Sequence, residues 1–217
     1  MKALAAACAL GALLLDAAAV RADPVGEPLS PVALAPVPLA PLAGHERSWT
    51  VPTLHGLGLL TTMRIGAAIV WPEPFADTDL GHIGASYERA FSEPPLWDSS
   101  QPFFEWDHSQ WWLNAIFHPL YGSEIYLRGR TCRLGALESF ALLAAGSTLW
   151  EYGFEGNAVQ PSALDLAFTP VAGFALGEMR FVAWRAAKRI GAPGWRDVLS
   201  GVLDPFGELE RELGTKC

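Results

Sequence analysis

Eight polar side chains fall within the most apolar helical stretches of this chain, and these are the residues whose types and spacing suit chemistry. They are Asn114, His118, Ser147, Glu151, Glu155, Ser162, Asp165 and Glu178. A buried polar group without a partner costs roughly 2 to 7 kcal/mol even when it is neutral. We therefore expect these groups to satisfy one another, to bind an ion, or to line a wet cleft.

The spacing of five of these residues predicts two polar stripes on neighbouring helices. Asn114 and His118 form one stripe, because residues four apart on a helix share a face. Ser147, Glu151 and Glu155 form the other by the same spacing. Two carboxylates one turn apart repel unless they share a proton or a cation lies between them. With His118 nearby, the pattern indicates either a divalent-metal site of His118, Glu151 and Glu155 or an acid–base pair.

The same residues also have a structural interpretation. His118, next to Pro119, suits a core histidine bonded to a backbone carbonyl. Glu151 and Glu155 suit an ion-pair network with nearby arginines, of which the sequence offers Arg128, Arg130 and Arg133. Both interpretations stay open at this point.

The third group of polar residues lies around a predicted helix start. Ser162 followed three residues later by Asp165 is typical of a helix N-cap. Glu178 lies off the Asp165 face of an ideal helix, so only a kink at Pro170 would bring the two carboxylates together.

Known catalytic motifs are absent from the sequence. It has no GxSxG, no HExxH, no GxGxxG before a strand and no glycine-rich phosphate loop. One Glu-x-x-His pair occurs, at Glu105 and His108. A carboxylate-bridged dimetal bundle needs two such pairs and two further Glu, so we interpret this one as coincidence.

Composition limits the partners. The chain has a formal net charge of −8, which disfavours nucleic acid. It is 51% hydrophobic and only 18% charged, so it buries much of its helix surface or contacts lipid. Basic and apolar residues alternate from Arg180 to Ile190, a pattern that suits either an anionic membrane surface or a solvated helix face.

The N-terminal sequence predicts export to the periplasm or cell envelope. Residues 1–22 have a basic start, an apolar run and small residues at a cleavage site, as in a secretory signal peptide. Cleavage before Cys8 as a lipoprotein would leave too short an apolar segment, whereas an uncleaved signal acting as an anchor remains an alternative. Residues 23–52 are proline-rich and predict a disordered tether.

The rest of the chain, residues 53–217, predicts one all-α domain. Apolar periodicity indicates a compact bundle of about five to six helices, and strand alternation is nearly absent. Pro119 and Pro170 fall inside helical stretches, so two helices are expected to be kinked or split. Cys132 and Cys217 belong to no thiolate metal motif, and whether they pair is open.

An ordered series of motifs resembles a known bacterial family, the one numbered three-nine-four-three among domains of unknown function. The series runs Asn114, His118-Pro119, Gly122-Ser123, Ser147, Trp150-Glu151, Glu155, Pro161-Ser162, Asp165, Gly173 and Gly177-Glu178. The resemblance covers roughly residues 106–178. It implies an exported or envelope-associated protein without an established activity. Arg128 and Arg130 both fit the arginine that follows the His-Pro element.

The sequence therefore leaves the function unassigned, with two leading hypotheses. The first is a structural, membrane-proximal envelope protein whose buried polar network fixes the bundle. The second is a metal-dependent or acid–base hydrolase acting on an envelope lipid or glycan. An integral membrane bundle is a third. The catalytic candidates are His118, Glu151, Glu155 and Asp165, and the binding candidates are Asn114, Arg128, Ser162 and Glu178.

Overall fold

The structure, a computed structural model, describes residues 46–215 and 217 and is all-α, as the sequence predicts. The described residues contain no β-strand and eight α-helices. These are α1 (Thr50–Val70), α2 (Pro72–Phe75), α3 (Leu80–Ser92), α4 (His118–Thr131), α5 (Ala136–Leu149), α6 (Ala163–Ala187), α7 (Pro193–Leu203) and α8 (Pro205–Glu212). One 3₁₀ turn (Phe103–Glu105) and two π-helical segments (Leu113–Phe117 and Trp150–Glu155) complete the helical part.

The helix count exceeds the predicted five to six for two local reasons. The helix predicted over the C-terminal residues divides at Asp204, whose φ and ψ of −141° and 64° are not helical. Pro205 follows it, and a proline disfavours the helical conformation of the residue before it. Asp204 then caps α8 by accepting a hydrogen bond from the Gly207 amide. The other addition is the single turn α2, which begins at Pro72.

The two interior prolines behave differently. Pro119 stands at the start of α4, directly after the π-helical segment Leu113–Phe117, so the helical path changes its hydrogen-bond pattern there. Pro170 lies inside α6, which continues on both sides of it. The sequence predicted a kink or a split at each proline, and α6 is not split.

The centre of the domain is α4, which packs against α1, α5 and α6. Its backbone nearly touches that of α6, because a Cβ added to Gly173 would lie only 2.9 Å from the Cα of Gly122. Glycines at such crossings let two helices approach more closely than side chains permit. The surrounding core consists of Leu60, Tyr121, Ile125, Tyr126, Leu143 and Trp150.

Both ends of the described chain are tied to the end of α4. Cys132 and Cys217 form a disulfide, with their Cα atoms 4.6 Å apart. The backbone amide of Ser48 donates to the carbonyl of the same Cys132. The pairing left open by the sequence thus joins the C-terminus to the central helix.

The first described helix begins three residues before the domain boundary predicted at residue 53. Helix α1 begins at Thr50 and includes Pro52 in its first turn, where a proline is tolerated because its missing amide would have no helical partner. The signal peptide predicted over residues 1–22 and the tether up to residue 45 lie outside the described residues.

Candidate functional site

Three of the predicted polar residues converge at one end of the bundle. One ligand atom each from His118, Glu151 and Asp165 lies within 4.8 Å of the other two. His118 is the first residue of α4, Glu151 belongs to the second π-helical segment, and Asp165 lies in the first turn of α6. Three chain segments distant in sequence therefore meet at this cluster.

Both π-helical segments carry candidate residues. Asn114 lies in the first segment, and Glu151 and Glu155 lie in the second. A π-helical turn inserts one extra residue into a helix and is frequently found at functional sites. Here the two turns adjoin the N-terminus of α4 and the C-terminus of α5, so they set the direction of the cluster side chains.

Glu151 is almost fully buried, with 1% of the residue exposed. Its Oε2 accepts a hydrogen bond of 2.7 Å from the Ser162 amide, whereas its Oε1 has no hydrogen-bond partner among the described residues. Ser162 also caps α6, because its Oγ accepts from the Asp165 amide at 3.1 Å. The N-cap predicted from the sequence thus lies directly beside the glutamate.

Asp165 and His118 form the second part of the cluster. The Nδ1 atom of His118 lies 3.2 Å from Oδ1 of Asp165 and 3.4 Å from Oγ1 of Thr169. Asp165 is buried, and the imidazole of His118 is the described partner of its Oδ1. Ser147 donates to the main-chain carbonyl of Asp165 at 3.3 Å, which ties α5 to α6 at the site.

A further carboxylate, Asp107, joins the cluster from a loop. Asn114 is buried and donates to Oδ1 of Asp107 at 2.8 Å and to the carbonyl of Phe104 at 3.1 Å. Asp107 in turn interacts with Asp165. Sequence reasoning missed Asp107 because it lies in no periodic segment. The nearby Glu105–His108 pair does not join the site, since His108 contacts Asp98 at 2.9 Å.

Three of the four carboxyl groups have raised pKa values. Burial raises the pKa of Glu151 well above its ordinary value, and the neighbouring charges of Glu155 and Asp165 raise it further. Burial also raises the pKa of Glu155 to about 7, with His118 opposing and Asp165 assisting. Burial and then Asp165 raise the pKa of Asp107. Burial would also raise the pKa of the fourth, Asp165, but its hydrogen bond and ion pair with His118 outweigh burial, so this pKa is lowered.

The imidazole responds to the same charges. Burial alone would lower the pKa of His118, but the hydrogen bond and charge of Asp165 outweigh burial, so the pKa is raised. The cluster thus sets four carboxyl groups against one imidazole. None of the described ion pairs brings an arginine or lysine to Asp107, Glu151, Glu155 or Asp165.

Two predicted binding residues lie elsewhere in the bundle. Arg128 is buried against Asp204, with its Nη2 3.1 Å from Oδ1. Glu178 accepts hydrogen bonds from Tyr126 and Arg130 at 2.6 and 3.0 Å. Two arginines that the sequence offered as partners for the cluster glutamates, Arg128 and Arg130, are therefore paired with other acids.

The converging atoms fit a divalent metal ion. One imidazole nitrogen and two carboxylate oxygens suit zinc, iron or manganese. Because metal–ligand distances are about 2.0–2.2 Å, two ligands of one ion lie at most about 4.4 Å apart. The three ligand atoms lie within 4.8 Å of one another, so they must approach by a few tenths of an ångström to bind one ion. Glu155, which the sequence grouped with the ligands, is not one of the three converging residues and lies one turn from Glu151.

Comparison with known proteins shows similarity to one family and gives no function. Residues 103–206 match the model of a family described as "Domain of unknown function (DUF3943)", the family that the motif series resembles. The match contains every member of the cluster. No curated protein and no solved structure matches the chain.

Proposed function

We propose that the part of the chain that matches the DUF3943 family, residues 103–206, binds one divalent metal ion and uses it for hydrolysis. The ligands are His118, Glu151 and Asp165. The observation that carries the proposal is their convergence within 4.8 Å, with Oε1 of Glu151 buried and without a hydrogen-bond partner among the described residues.

The electrostatics of the cluster favour a cation. A buried carboxylate oxygen without a partner is costly, and four neighbouring acids multiply that cost. Without a cation Glu151 and Glu155 must take up protons, which is what their raised pKa values describe, while Asp165 pairs with His118. A divalent ion would satisfy the free Oε1 of Glu151 and compensate the negative charges of Glu151 and Asp165 together.

The exposure of the cluster suits catalysis better than a purely structural metal site. Three protein ligands leave at least one coordination position for water or substrate, as in catalytic metal sites. Glu151 and Asp165 are buried, but His118 and Glu155 are partly exposed, so the cluster reaches solvent on their side. The pKa of Glu155 is raised to about 7 in the metal-free cluster, and a bound cation would lower it, so Glu155 would be a carboxylate able to accept a proton near neutral pH.

These roles define one reaction scheme. A bound ion supplies Lewis-acid activation of a water molecule. Glu155 would accept a proton from the attacking water as the water oxygen forms a bond to the carbonyl or phosphoryl centre of the substrate. The bond to the leaving group then breaks, and Glu155 returns the proton to the leaving group. Asn114 holds Asp107 beside Asp165 and so positions one ligand.

A second candidate function is a metal-free structural network, favoured by one observation. The hydrogen bond from the Ser162 amide to Glu151 ties the second π-helical segment to the start of α6. In that case the buried acids serve only to fix this junction in a membrane-proximal envelope protein.

Metal-dependent turnover separates the two functions. Purified protein is stripped with a chelator, reconstituted with Zn²⁺ or Mn²⁺, and assayed on p-nitrophenyl esters and bis(p-nitrophenyl) phosphate. We expect turnover only with metal, and a loss of at least ~100-fold in Glu155→Gln with metal retained. Glu93→Gln, an exposed glutamate outside the cluster, is the matched control. Equal turnover of Glu155→Gln and wild type would remove Glu155 from the mechanism, and the absence of turnover would favour the structural network.

We also propose that the protein is exported to the periplasm or envelope. The signal-like residues 1–22 suggest this, and the Cys132–Cys217 disulfide supports it, because such bonds persist in oxidising compartments. Cell fractionation with thiol alkylation tests it. A cytoplasmic protein with both thiols reactive would contradict it.

A further inference from the structure

The longest helices turn their charged residues inward and their apolar residues outward. In α1, His55 contacts Glu210 at 2.7 Å, and Arg64 donates to the carbonyl of Phe154 at 2.8 Å. The exposed residues of α1 carry no charge and are Thr50, Thr53, Leu54, Leu57, Gly58, Thr61, Thr62, Ile65, Ile69 and Val70. A helix at a water-exposed surface has the opposite arrangement.

The exposed hydroxyl groups of α1 are also satisfied within the helix. Thr61 donates to the carbonyl of Leu57 and Thr62 to that of Gly58, each at 2.8 Å. This back-bonding removes the donors that would otherwise need water. The outer face of α1 therefore presents no unsatisfied side-chain donor along its middle turns.

Helix α6 repeats the pattern. Its exposed residues are Ala167, Val171, Phe174, Ala175, Met179, Val182 and Ala186, all apolar. Its ionisable groups point to protein partners: Asp165 to the cluster, Glu178 to Arg130 and Arg180 to Glu124 at 2.7 Å. By length and composition alone, α1 and α6 are each long and apolar enough to cross a membrane.

The ends of these helices match the boundaries of a bilayer. With 21 residues, α1 is about 31 Å long at 1.5 Å per residue, close to the thickness of the hydrocarbon layer. Trp49 and Trp71 flank it, and tryptophan is enriched at both membrane interfaces. Arg185, Lys188 and Arg189 mark the C-terminal end of α6, where their charge complements anionic headgroups.

We propose that the outer faces of α1 and α6 contact the hydrocarbon of a lipid bilayer, with Trp49 and Trp71 at its two boundaries and the basic end of α6 against anionic headgroups. The occupant follows from the charge pattern: an uncharged face ending in a basic cluster is complementary to a bilayer. The arrangement does not depend on the metal site.

A fluorescent probe at one residue tests the contact directly. Thr61→Cys, in a Cys8→Ser background with the native disulfide intact, is labelled with an environment-sensitive nitrobenzoxadiazole group. Asp197→Cys on α7 is the control, because Asp197 is 67% exposed and charged. Both proteins are reconstituted into vesicles of phosphatidylcholine and phosphatidylglycerol at 3:1.

We expect the fluorescence of the probe at residue 61 to shift to shorter wavelength in vesicles and to resist quenching by aqueous iodide. The probe at residue 197 should show neither effect. Equal iodide quenching at the two positions overturns the proposal. So does protection of the Thr61 probe without lipid in a dimer, because a second copy of the chain then covers this face.

Lysine substitutions provide a second test. Leu57→Lys and Ala175→Lys place a charge near the middle of each outer face, whereas Leu80→Lys places it on the 83% exposed start of α3. All three keep residues 1–45, so any anchoring by that segment is shared. We expect the fraction of protein that floats with vesicles to be at least tenfold lower for Leu57→Lys and Ala175→Lys than for Leu80→Lys. Equal flotation of all three would overturn the proposal and assign anchoring to the N-terminal segment.

Discussion

The Nδ1 atom of His118 lies 3.2 Å from Oδ1 of Asp165, which joins the first residue of α4 to the first turn of α6. The same two helices touch at their backbones, near Gly122 and Gly173. Because main-chain contacts resist adjustment more than side-chain contacts do, the ion pair has a fixed separation. The geometry of the cluster therefore depends on the packing of α4 against α6.

Alanine at Gly173 should destabilise the domain. Its Cβ would lie 2.9 Å from the backbone of Gly122, so the helices must move apart, at a cost of about 1–3 kcal/mol. Gly66→Ala is the control, because a Cβ there meets nothing within 4 Å and alanine favours a helix by about 0.5–1 kcal/mol. Chemical unfolding measures both. Equal stability of the two variants would show that α4 and α6 are not in close contact.

Removal of the Asp204 carboxylate should strongly lower the free energy of unfolding. Asp204 is fully buried, pairs with Arg128 and Arg211 and caps α8, so Asp204→Ala leaves buried charge uncompensated. We expect a loss of about 3–5 kcal/mol. Asp197→Ala breaks an exposed pair with Arg196 and should change stability by less than about 1 kcal/mol. Urea unfolding measures both variants. A small effect of Asp204→Ala would show that the ion pairs of Asp204 with Arg128 and Arg211 are exposed to solvent.

Reduction of the Cys132–Cys217 bond should lower stability without changing the site. The bond closes a loop of 85 residues, and the chain-entropy argument gives about 4 kcal/mol as an upper value. The Cys132→Ser, Cys217→Ser double variant should match reduced wild type in unfolding midpoint. If the reduced and oxidised proteins unfolded together, the C-terminus would contribute nothing to the fold.

The metal-free domain should lose stability as pH rises from 5 to 8. The folded pKa of Glu155 is about 7, and those of Glu151, Asp107 and His118 are also raised. A raised folded pKa adds stability that is present below the unfolded pKa and lost as pH passes the folded pKa. Thermal melts at several pH values measure this.

Two further sets of thermal melts test the cause of this pH dependence, one with a protein variant and one with added metal. Glu155→Gln should flatten the decline, because glutamine does not titrate. Saturating metal should oppose the decline, because metal affinity rises as the ligands lose protons. A melting temperature that increases with pH in the metal-free protein would contradict the raised pKa values of Glu151 and Glu155.

The local sequence pattern was sufficient to find most of the cluster. Spacing by four drew attention to His118 and Glu151, and the Ser162 capping pattern drew attention to Asp165. These signals lie within a turn or two of helix, where sequence distance and spatial distance correspond. The all-α class followed from the same apolar periodicity.

Features that depend on distant contacts could not be predicted. Arg128 meets Asp204 across 76 positions, and no local pattern marks either as the partner of the other. Asp107 reaches the cluster from an irregular loop. The two π-helical segments have no periodic signature of their own, since each is a single altered turn within a longer helix.

Metal content tests the central claim most directly. Wild type, Glu151→Gln, Asp165→Asn and the exposed control Glu93→Gln are purified without chelator and analysed for zinc, manganese and iron by mass spectrometry. We predict about one metal ion per chain in wild type and Glu93→Gln, and less than about a tenth of that in the two ligand variants. Two results would contradict a metal site at His118, Glu151 and Asp165. One is wild-type protein that still contains no metal after dialysis against Zn²⁺ and Mn²⁺, and the other is an equal metal content in all four proteins.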